Sequence, residues 1–250
     1  MKVSVIIPSL NPDEKLICVV DSLIEAGFDD IILVNDGSDE NHMEPFEHVS
    51  AYPECTILTH EVNKGKGRGL KTAFEYCIKN RPDIDGVVTV DGDNQHKAAD
   101  ILKCCEKMAE CKDKVVLGVR NFSGKDVPFK SRFGNNMTSF VFKFACGLNI
   151  SDTQTGLRAI PRQYLELFDK VKGERFEYET NMLLEFKQSH IDFVEVQIET
   201  VYIEENASTH FNPIKDSLKI YGVIFKFLFS SIASSVIDLA MFALISALMF

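Results

Sequence analysis

Two carboxylates stand two residues apart in Asp91-Gly92-Asp93-Asn94-Gln95-His96, directly after the apolar run Val87–Val90. At the end of a buried strand such a pair can converge on one hard divalent cation, and Gln95 adds an oxygen of the same hardness. Mg²⁺ or Mn²⁺ held by Asp91, Asp93 and Gln95 would neutralise a diphosphate and help it leave. The same residues also spell an Asp-Gly turn of no catalytic interest. Two further segments bear on that choice. Asn35-Asp36-Gly37-Ser38 closes the run Ile31–Asn35, and a carboxylate there can accept a hydrogen bond from a nucleobase N–H or a ribose hydroxyl. Asn63-Lys64-Gly65-Lys66-Gly67-Arg68-Gly69 leads into a helix. Its glycines allow close backbone approach, while Lys66 and the helix N-terminus favour an anion. It is not a Walker loop, since no Ser or Thr follows a Gly-Lys pair. Nor is it a dinucleotide fingerprint: G-x-G-x-x-G is missing, and the first strand–helix turn, Pro8–Pro12, lacks glycine.

These segments need elements to hold them. Val3–Ile7, Ile31–Asn35, Thr56–Thr59, Val87–Val90 and Val115–Val119 read as buried strands. Helices are expected over Asp13–Ala26, Asn41–Ala51, Gly67–Lys79 and Ala98–Glu110. This alternation predicts an α/β fold, a mainly parallel sheet with helices on both faces. Ligands then bind beyond the carboxyl ends of the strands, at Pro8–Asn11, Asn35–Asp39, Asp91–His96 and the segment after Arg120. Beyond Arg120 the character changes. Arg132–Gly147 puts Phe133, Met137, Phe140, Val141 and Phe144 on one helical face. Asp152–Arg158 reads as a polar loop, Phe176–Gln188 as a helix and Asp192–Ile203 as a half-exposed strand.

Composition restricts the function. The 250 residues carry 27 Lys and Arg against 37 Asp and Glu, a net charge of −10, which argues against a nucleic-acid partner. The acidic average conceals two basic clusters, Lys64–Lys71 and Arg120–Arg132, each suited to a phosphate. Seven cysteines without a C-x-x-C pair suit reduced thiols facing the cytoplasm, most of them core fillers. Three of the 19 phenylalanines precede residue 121 and sixteen follow it. The run Phe227–Phe250 has one charge, Asp238; its 24 residues would span about 36 Å as a helix, enough to cross a membrane. Lysines before it would put the preceding domain in the cytoplasm, and Asp238 would face other helices or a polar cavity. A buried helix is the other reading of this run.

Taken in order, I-I-P-S-L-N-P, V-N-D-G-S, N-K-G-K-G and D-G-D-N-Q-H, across Val3 to Ile101, resemble the donor half of inverting family 2 glycosyltransferases with a GT-A fold. Asn35 replaces the commoner Asp, leaving Asp36 as the base contact. The resemblance implies that Pro8 and Asn11 line the nucleotide pocket and that Asp91, Asp93 and Gln95 surround the metal. Val119-Arg120-Asn121, the basic segment Lys125–Arg132 and Asp152-Thr153-Gln154-Thr155-Gly156-Leu157-Arg158 look like the dolichol-phosphate mannosyltransferase and bactoprenol-phosphate glucosyltransferase group. That group implies a nucleotide diphosphate sugar donor (GDP-mannose or UDP-glucose type) and a polyprenyl phosphate acceptor. A phosphate monoester, with a second pKa of about 6, needs no strong general base. Arg120 and Arg132 would orient it for inverting attack, with Asp93 and Asp152 completing the catalytic set. Gln154 and Arg158 would shape the acceptor site, with Asp152 orienting them. Glu177 and Glu179 are either an acidic element near the donor or ordinary helix-terminus charges. The last 25 residues are similar to the first span of the GtrA-like membrane family.

The expected organisation is therefore a GT-A domain over 1–210 (donor side 1–119, acceptor side 120–210), a juxtamembrane amphipathic helix over 211–226 and a transmembrane helix over 227–250. An integral membrane enzyme with its catalytic domain in the cytoplasm follows, as a monomer or a homo-oligomer. The alternatives are a family 2 enzyme that glycosylates a sugar hydroxyl in a cell-surface polysaccharide and a non-catalytic protein that binds lipid-linked sugar.

Overall fold

The computed structural model describes residues 1–122 and 129–199, then 222, 225, 229–230, 233–242 and 245–246; of 129–131, 133, 145 and 146 the backbone alone is described. Seven strands form one mixed sheet: β1 (Val3–Ser9), β2 (Ile31–Asn35), β3 (Cys55–Thr59), β4 (Gly86–Thr89), β5 (Val115–Arg120), β6 (Arg158–Pro161) and β7 (Phe193–Ile198). Their order is β3-β2-β1-β4-β6-β5-β7. The pairs β1–β2, β2–β3, β1–β4 and β5–β7 are parallel. Only β6 runs against its neighbours, β4 and β5.

Strand periodicity divides the core. Ile6, Val34, Val87 and Leu117 point to one face, where α3 (Lys66–Asn80), α6 (Leu165–Asp169) and α7 (Glu177–Gln188) supply Leu70, Phe74, Phe168, Tyr178 and Phe186. Val5, Ile7, Leu33 and Val88 point to the other, against α1 (Lys15–Glu25), α2 (Glu44–Val49) and α4 (Ala98–Cys111). The helices follow from spacing: α1 buries Leu16, Val19, Val20 and Leu23, an i, i+3, i+4, i+7 stripe. Both faces of the sheet are thus covered, which is why its strands read as unbroken apolar runs.

Three differences from the sequence reading concern the half beyond Arg120. Arg158 opens β6 rather than ending a loop, so the sheet is mixed. Four residues including an arginine and a proline carry no strand periodicity, and pairing with β4 and β5 imposes the extended form. The helix over Arg132–Gly147 begins earlier, as α5 (Phe129–Val141), and ends in a π-helical turn, Phe142–Cys146. Its polar residues Asn135 and Thr138 are buried while Met137, Phe140 and Phe144 are 42%, 58% and 72% exposed. The part of the apolar face formed by Met137, Phe140 and Phe144 therefore points outward, while Val141 packs against the core.

The expected helix over 211–226 lies outside the described residues apart from 222 and 225, as do Lys125 and Asp126 of the basic segment. Among the described residues no helix is long and apolar enough to cross a membrane. Residues 233–242 are helical, and Val236, Ile237, Leu239, Met241 and Phe242 are exposed there.

Candidate active site

The parallel strands β1, β2 and β4 end on one edge of the sheet, and the turns that follow them enclose a cleft of about 300 Å³. Pro8, Asn11, Asp36, Lys66, Asp91 and Asp93 line it, together with Arg175 and Phe176 just before α7. Pro8, Asn11, Asp36, Asp91 and Asp93 meet here because each follows or ends a strand at its carboxyl end, while Lys66 opens α3 and Arg175 and Phe176 precede α7.

Asp91 and Asp93 follow β4. Asp91 Oδ1 lies 2.8 Å from Lys66 Nζ, and its Oδ2 lies 3.8 Å from His96 Nε2. Burial pushes the Asp91 carboxyl up, but Lys66 and His96 outweigh it and hold the group well below the usual carboxylate range. Asp93 accepts the Gln95 backbone N–H at 3.1 Å, and its carboxyl is raised by burial and then by the charge of Asp91. Gly156 packs against this turn so closely that a Cβ would fall 2.4 Å from Asp91 Oδ2. Two crowded carboxylates suit a hard cation that completes its shell with water and phosphate oxygens. Among the described residues no group of three or more His, Cys, Asp or Glu could enclose an ion by itself.

Lys66 is where the structure departs most from a simple anion site. Its Nζ bridges Asp91 and Glu179 Oε2, the latter at 2.9 Å. Burial lowers the ammonium, yet the two carboxylates raise it above the usual lysine value. Glu179 is thus tied to the cleft through Lys66. Glu177, from the same helix start, instead accepts the backbone N–H groups of Glu174 and Arg175. The two acidic residues left open by the sequence have different duties.

Asp36 is 3% exposed and heavily engaged. It accepts the Lys64 N–H at 2.9 Å, the Gly65 N–H at 2.7 Å and a contact from His60 Nδ1 at 2.6 Å. Asn11, with φ +47, accepts the Asp39 N–H on its side-chain oxygen and donates its own N–H to Ser38. These bonds shape the cleft wall, and no local signal in the sequence marks His60 as a partner.

Beyond β5, Asp152 is fully buried. It accepts Arg120 Nε at 2.8 Å, Nη2 at 3.1 Å and the backbone N–H groups of Arg120 and Gln154. The Phe122 ring lies 5.2 Å from the guanidinium. Asp152 therefore orients Arg120 rather than facing a substrate. Gln154 is exposed, its Nε2 close to Gly134 of α5, and Arg132 is half-buried in the same helix. Arg158 lies apart from the surface, 1% exposed, donating to the carbonyls of Thr155 and Glu179 while burial lowers its pKa. It braces the floor of the site, beneath the position expected for an acceptor contact.

With this geometry in place, comparison with known proteins is decisive at the family level. The model of the family described as Glycosyl transferase family 2 matches residues 4–168. The chain belongs to glycosyl transferase family 2. This glycosyltransferase is 30% identical over 220 residues to the UDP-N-acetylglucosamine–dolichyl-phosphate N-acetylglucosaminyltransferase of Methanococcus voltae, covering 80% of the chain and 85% of the relative. It is 26% identical to the undecaprenyl-phosphate 4-deoxy-4-formamido-L-arabinose transferase of Proteus mirabilis, over 66% of the chain and 50% of that protein. Its fold is that of glucosyl-3-phosphoglycerate synthase from Mycobacterium tuberculosis, solved with Mn²⁺, UDP and phosphoglyceric acid (TM-score 0.65, 16% identity, 92% and 78% coverage). Mannosyl-3-phosphoglycerate synthase from Rubrobacter xylanophilus is similar in fold as well (TM-score 0.67, 13% identity, 94% and 75% coverage). The GT-A expectation is met, and the two relatives by sequence named here are, by name, transferases acting on dolichyl phosphate and undecaprenyl phosphate.

Proposed function

We propose that this glycosyltransferase moves a sugar from a nucleotide diphosphate to a polyprenyl phosphate of the dolichyl type, with inversion and with a divalent metal, at a membrane surface. The observation that carries the reading is the Asp152–Gly156 loop, which clamps Arg120 at one end and packs on Asp91 at the other. It couples a phosphate-binding cation to the carboxylates of the donor cleft. Asp91, Asp93 and Gln95 would hold Mg²⁺ or Mn²⁺, which neutralises the departing diphosphate when bound. Asp36 and the cleft wall bind the nucleoside. Arg120 and Arg132 orient and partly neutralise the lipid phosphate, whose oxygen attacks the anomeric carbon in line; Gln154 stands beside them. The dianionic nucleophile arrives deprotonated, so this chain's side chains supply orientation and charge, not a strong base.

The exposed Met137, Phe140 and Phe144, beside exposed Lys143, and the exposed apolar helix over 233–242 support attachment to a bilayer. We extend that to an anchoring helix over 227–250 of the GtrA-like kind, with the catalytic domain on the cytoplasmic side. One observation favours the hydroxyl-acceptor alternative: Glu179 puts a carboxylate at the cleft that could take a proton, although Lys66 neutralises it.

Transfer of radiolabelled sugar from a nucleotide sugar into butanol-extractable lipid tests the proposal. EDTA and Asp93→Ala should each lower it by about a hundredfold or more. Transfer that survives EDTA overturns the metal assignment. Label entering polysaccharide instead, with Arg132→Gln nearly as active as the parent, overturns the lipid acceptor.

A further inference from the structure

Behind the cleft a line of hydrogen bonds runs from α3 to Asp36. Arg68 Nε lies 3.3 Å from Thr72 Oγ1, Thr72 Oγ1 lies 2.9 Å from His60 Nε2, and His60 Nδ1 lies 2.6 Å from Asp36 Oδ1. The His60 and Asp36 side chains are each 5% exposed, so water does not compete for these groups. A carboxylate only accepts, so Nδ1–H of His60 donates to Asp36; Arg68 donates to the Thr72 oxygen, which also hydrogen-bonds with Nε2.

That order decides what Asp36 has left to offer. A carboxylate has about four acceptor positions. Oδ1 takes His60 and the Lys64 N–H, and Oδ2 takes the Gly65 N–H. One position, on Oδ2, remains on a residue that lines the cleft. The loop held by these bonds has no slack. Gly65 sits at φ +105, and a Cβ there would fall 2.5 Å from both Glu174 O and Arg175 Cγ. Residues 63–66 are therefore wedged between Asp36 on one side and the 174–175 backbone on the other, with Lys66 at the end.

We propose that His60 is a positioning residue for donor binding. By pinning the Asp36 carboxylate it fixes the 63–66 loop and aims the remaining oxygen position at a ligand N–H, as a uracil or guanine base provides. This rests on the nucleotide-sugar reading of the cleft. Without His60 the carboxylate can rotate and the loop can leave its binding-competent place. Apparent affinity then falls by the fraction of molecules that remain competent. The groups at the reacting centre, Asp93 and Arg120, make no hydrogen bond to His60, so the loss belongs in KM and not in kcat.

The test measures calorimetric Kd for UDP, GDP and CDP with Mn²⁺, and KM and kcat for transfer, in the full-length protein, His60→Ala, His60→Asn and Thr72→Val. The parent should bind UDP or GDP better than CDP, whose base lacks an N–H at the corresponding ring nitrogen. His60→Ala should weaken the preferred nucleotide by about tenfold to a hundredfold and reduce that preference, with kcat changed by no more than about twofold. His60→Asn, which returns an N–H near the Nδ1 position, should recover most of the affinity, and Thr72→Val should lose a few-fold. If the parent binds none of the three, the nucleotide reading fails and this inference with it. If the parent binds and His60→Ala binds equally well, the positioning role is refuted while the nucleotide reading stands. Lowered thermal stability in both His60 variants with unchanged affinity of the folded protein would likewise refute it, as a purely structural bond.

Discussion

Asp152→Asn keeps the shape of the Arg120 clamp and removes its charge. The native carboxylate receives four N–H groups, two from the guanidinium and two from the backbone, at 2.8–3.2 Å. An asparagine amide places an NH₂ against one pair of those donors, so roughly half the contacts fail. Hydrogen bonds to charged groups contribute about 1.5–3 kcal/mol each, and breaking a buried ion pair costs about 3–5 kcal/mol. Asp152 is fully buried, but the Arg120 side chain is 24% exposed and recovers some solvation. The expected loss is about 3 kcal/mol for Asp152→Asn. Arg120→Gln should cost less, about 1.5–2 kcal/mol, because Asp152 keeps both backbone donors. Together with the double variant these give a cycle whose coupling energy should be about 1.5–2 kcal/mol. Urea unfolding of the full chain at pH 7, with unchanged denaturant slope, supplies the numbers. Transfer by folded Asp152→Asn should fall toward that of Arg120→Gln, since an unheld guanidinium no longer points at the phosphate. Additivity within about 0.5 kcal/mol, or parental transfer by Asp152→Asn, would refute the orienting role.

Three other outcomes are expected. Gly156→Ala should stay folded and lose about tenfold or more in transfer, measured beside its melting temperature, because its Cβ displaces Asp91. Phe140→Ser with Phe144→Ser should shift stability by no more than about 0.5 kcal/mol yet weaken binding to anionic vesicles in a sedimentation assay, as both rings are exposed. The buried thiols give a pH signature: burial pushes Cys77 up to about 11 and Cys104 and Cys105 up to about 12. From about pH 9 the unfolded chain releases protons that the folded one keeps, so stability falls through that window by at most about 1.4 kcal/mol per thiol per pH unit. Urea midpoints at pH 8, 9 and 10 should decline less steeply in Cys104→Ala with Cys105→Ala; equal slopes would exclude the thiols as the cause.

The half up to Arg120 was readable because its information is local. β-Branched runs announced β1, β2 and β4, and the acidic and glycine-rich turns fell at the strand ends where such a sheet binds ligands. Tertiary pairings were not readable. Lys66 looked like a free cation because Glu179, its second partner, lies on a helix 113 residues later. The resemblance put Arg158 at the acceptor site, and the structure holds it in β6 between β4 and β5, 1% exposed. The helix over 132–147 was recognised by its apolar face, but periodicity alone does not say whether that face turns inward. Its buried Asn135 bonds to Ser151 and Thr153 show that the polar side is the one that docks.

The reversed strand β6 has a consequence for how such an enzyme can change. The chain leaves the sheet at Arg120 and re-enters it at Arg158, and an ion pair staples Arg120 to Asp152 near the base of the excursion. Doubling the length of a loop already closed adds only about 0.6 kcal/mol of closure entropy. The ion pair thus closes the excursion at its base, so length added within it costs the sheet and the cleft little as long as Phe142, Leu148 and Ile150 keep their places in the core. Under the function proposed above, changes of acceptor would fall in that excursion and leave the turns after β1, β2 and β4 untouched.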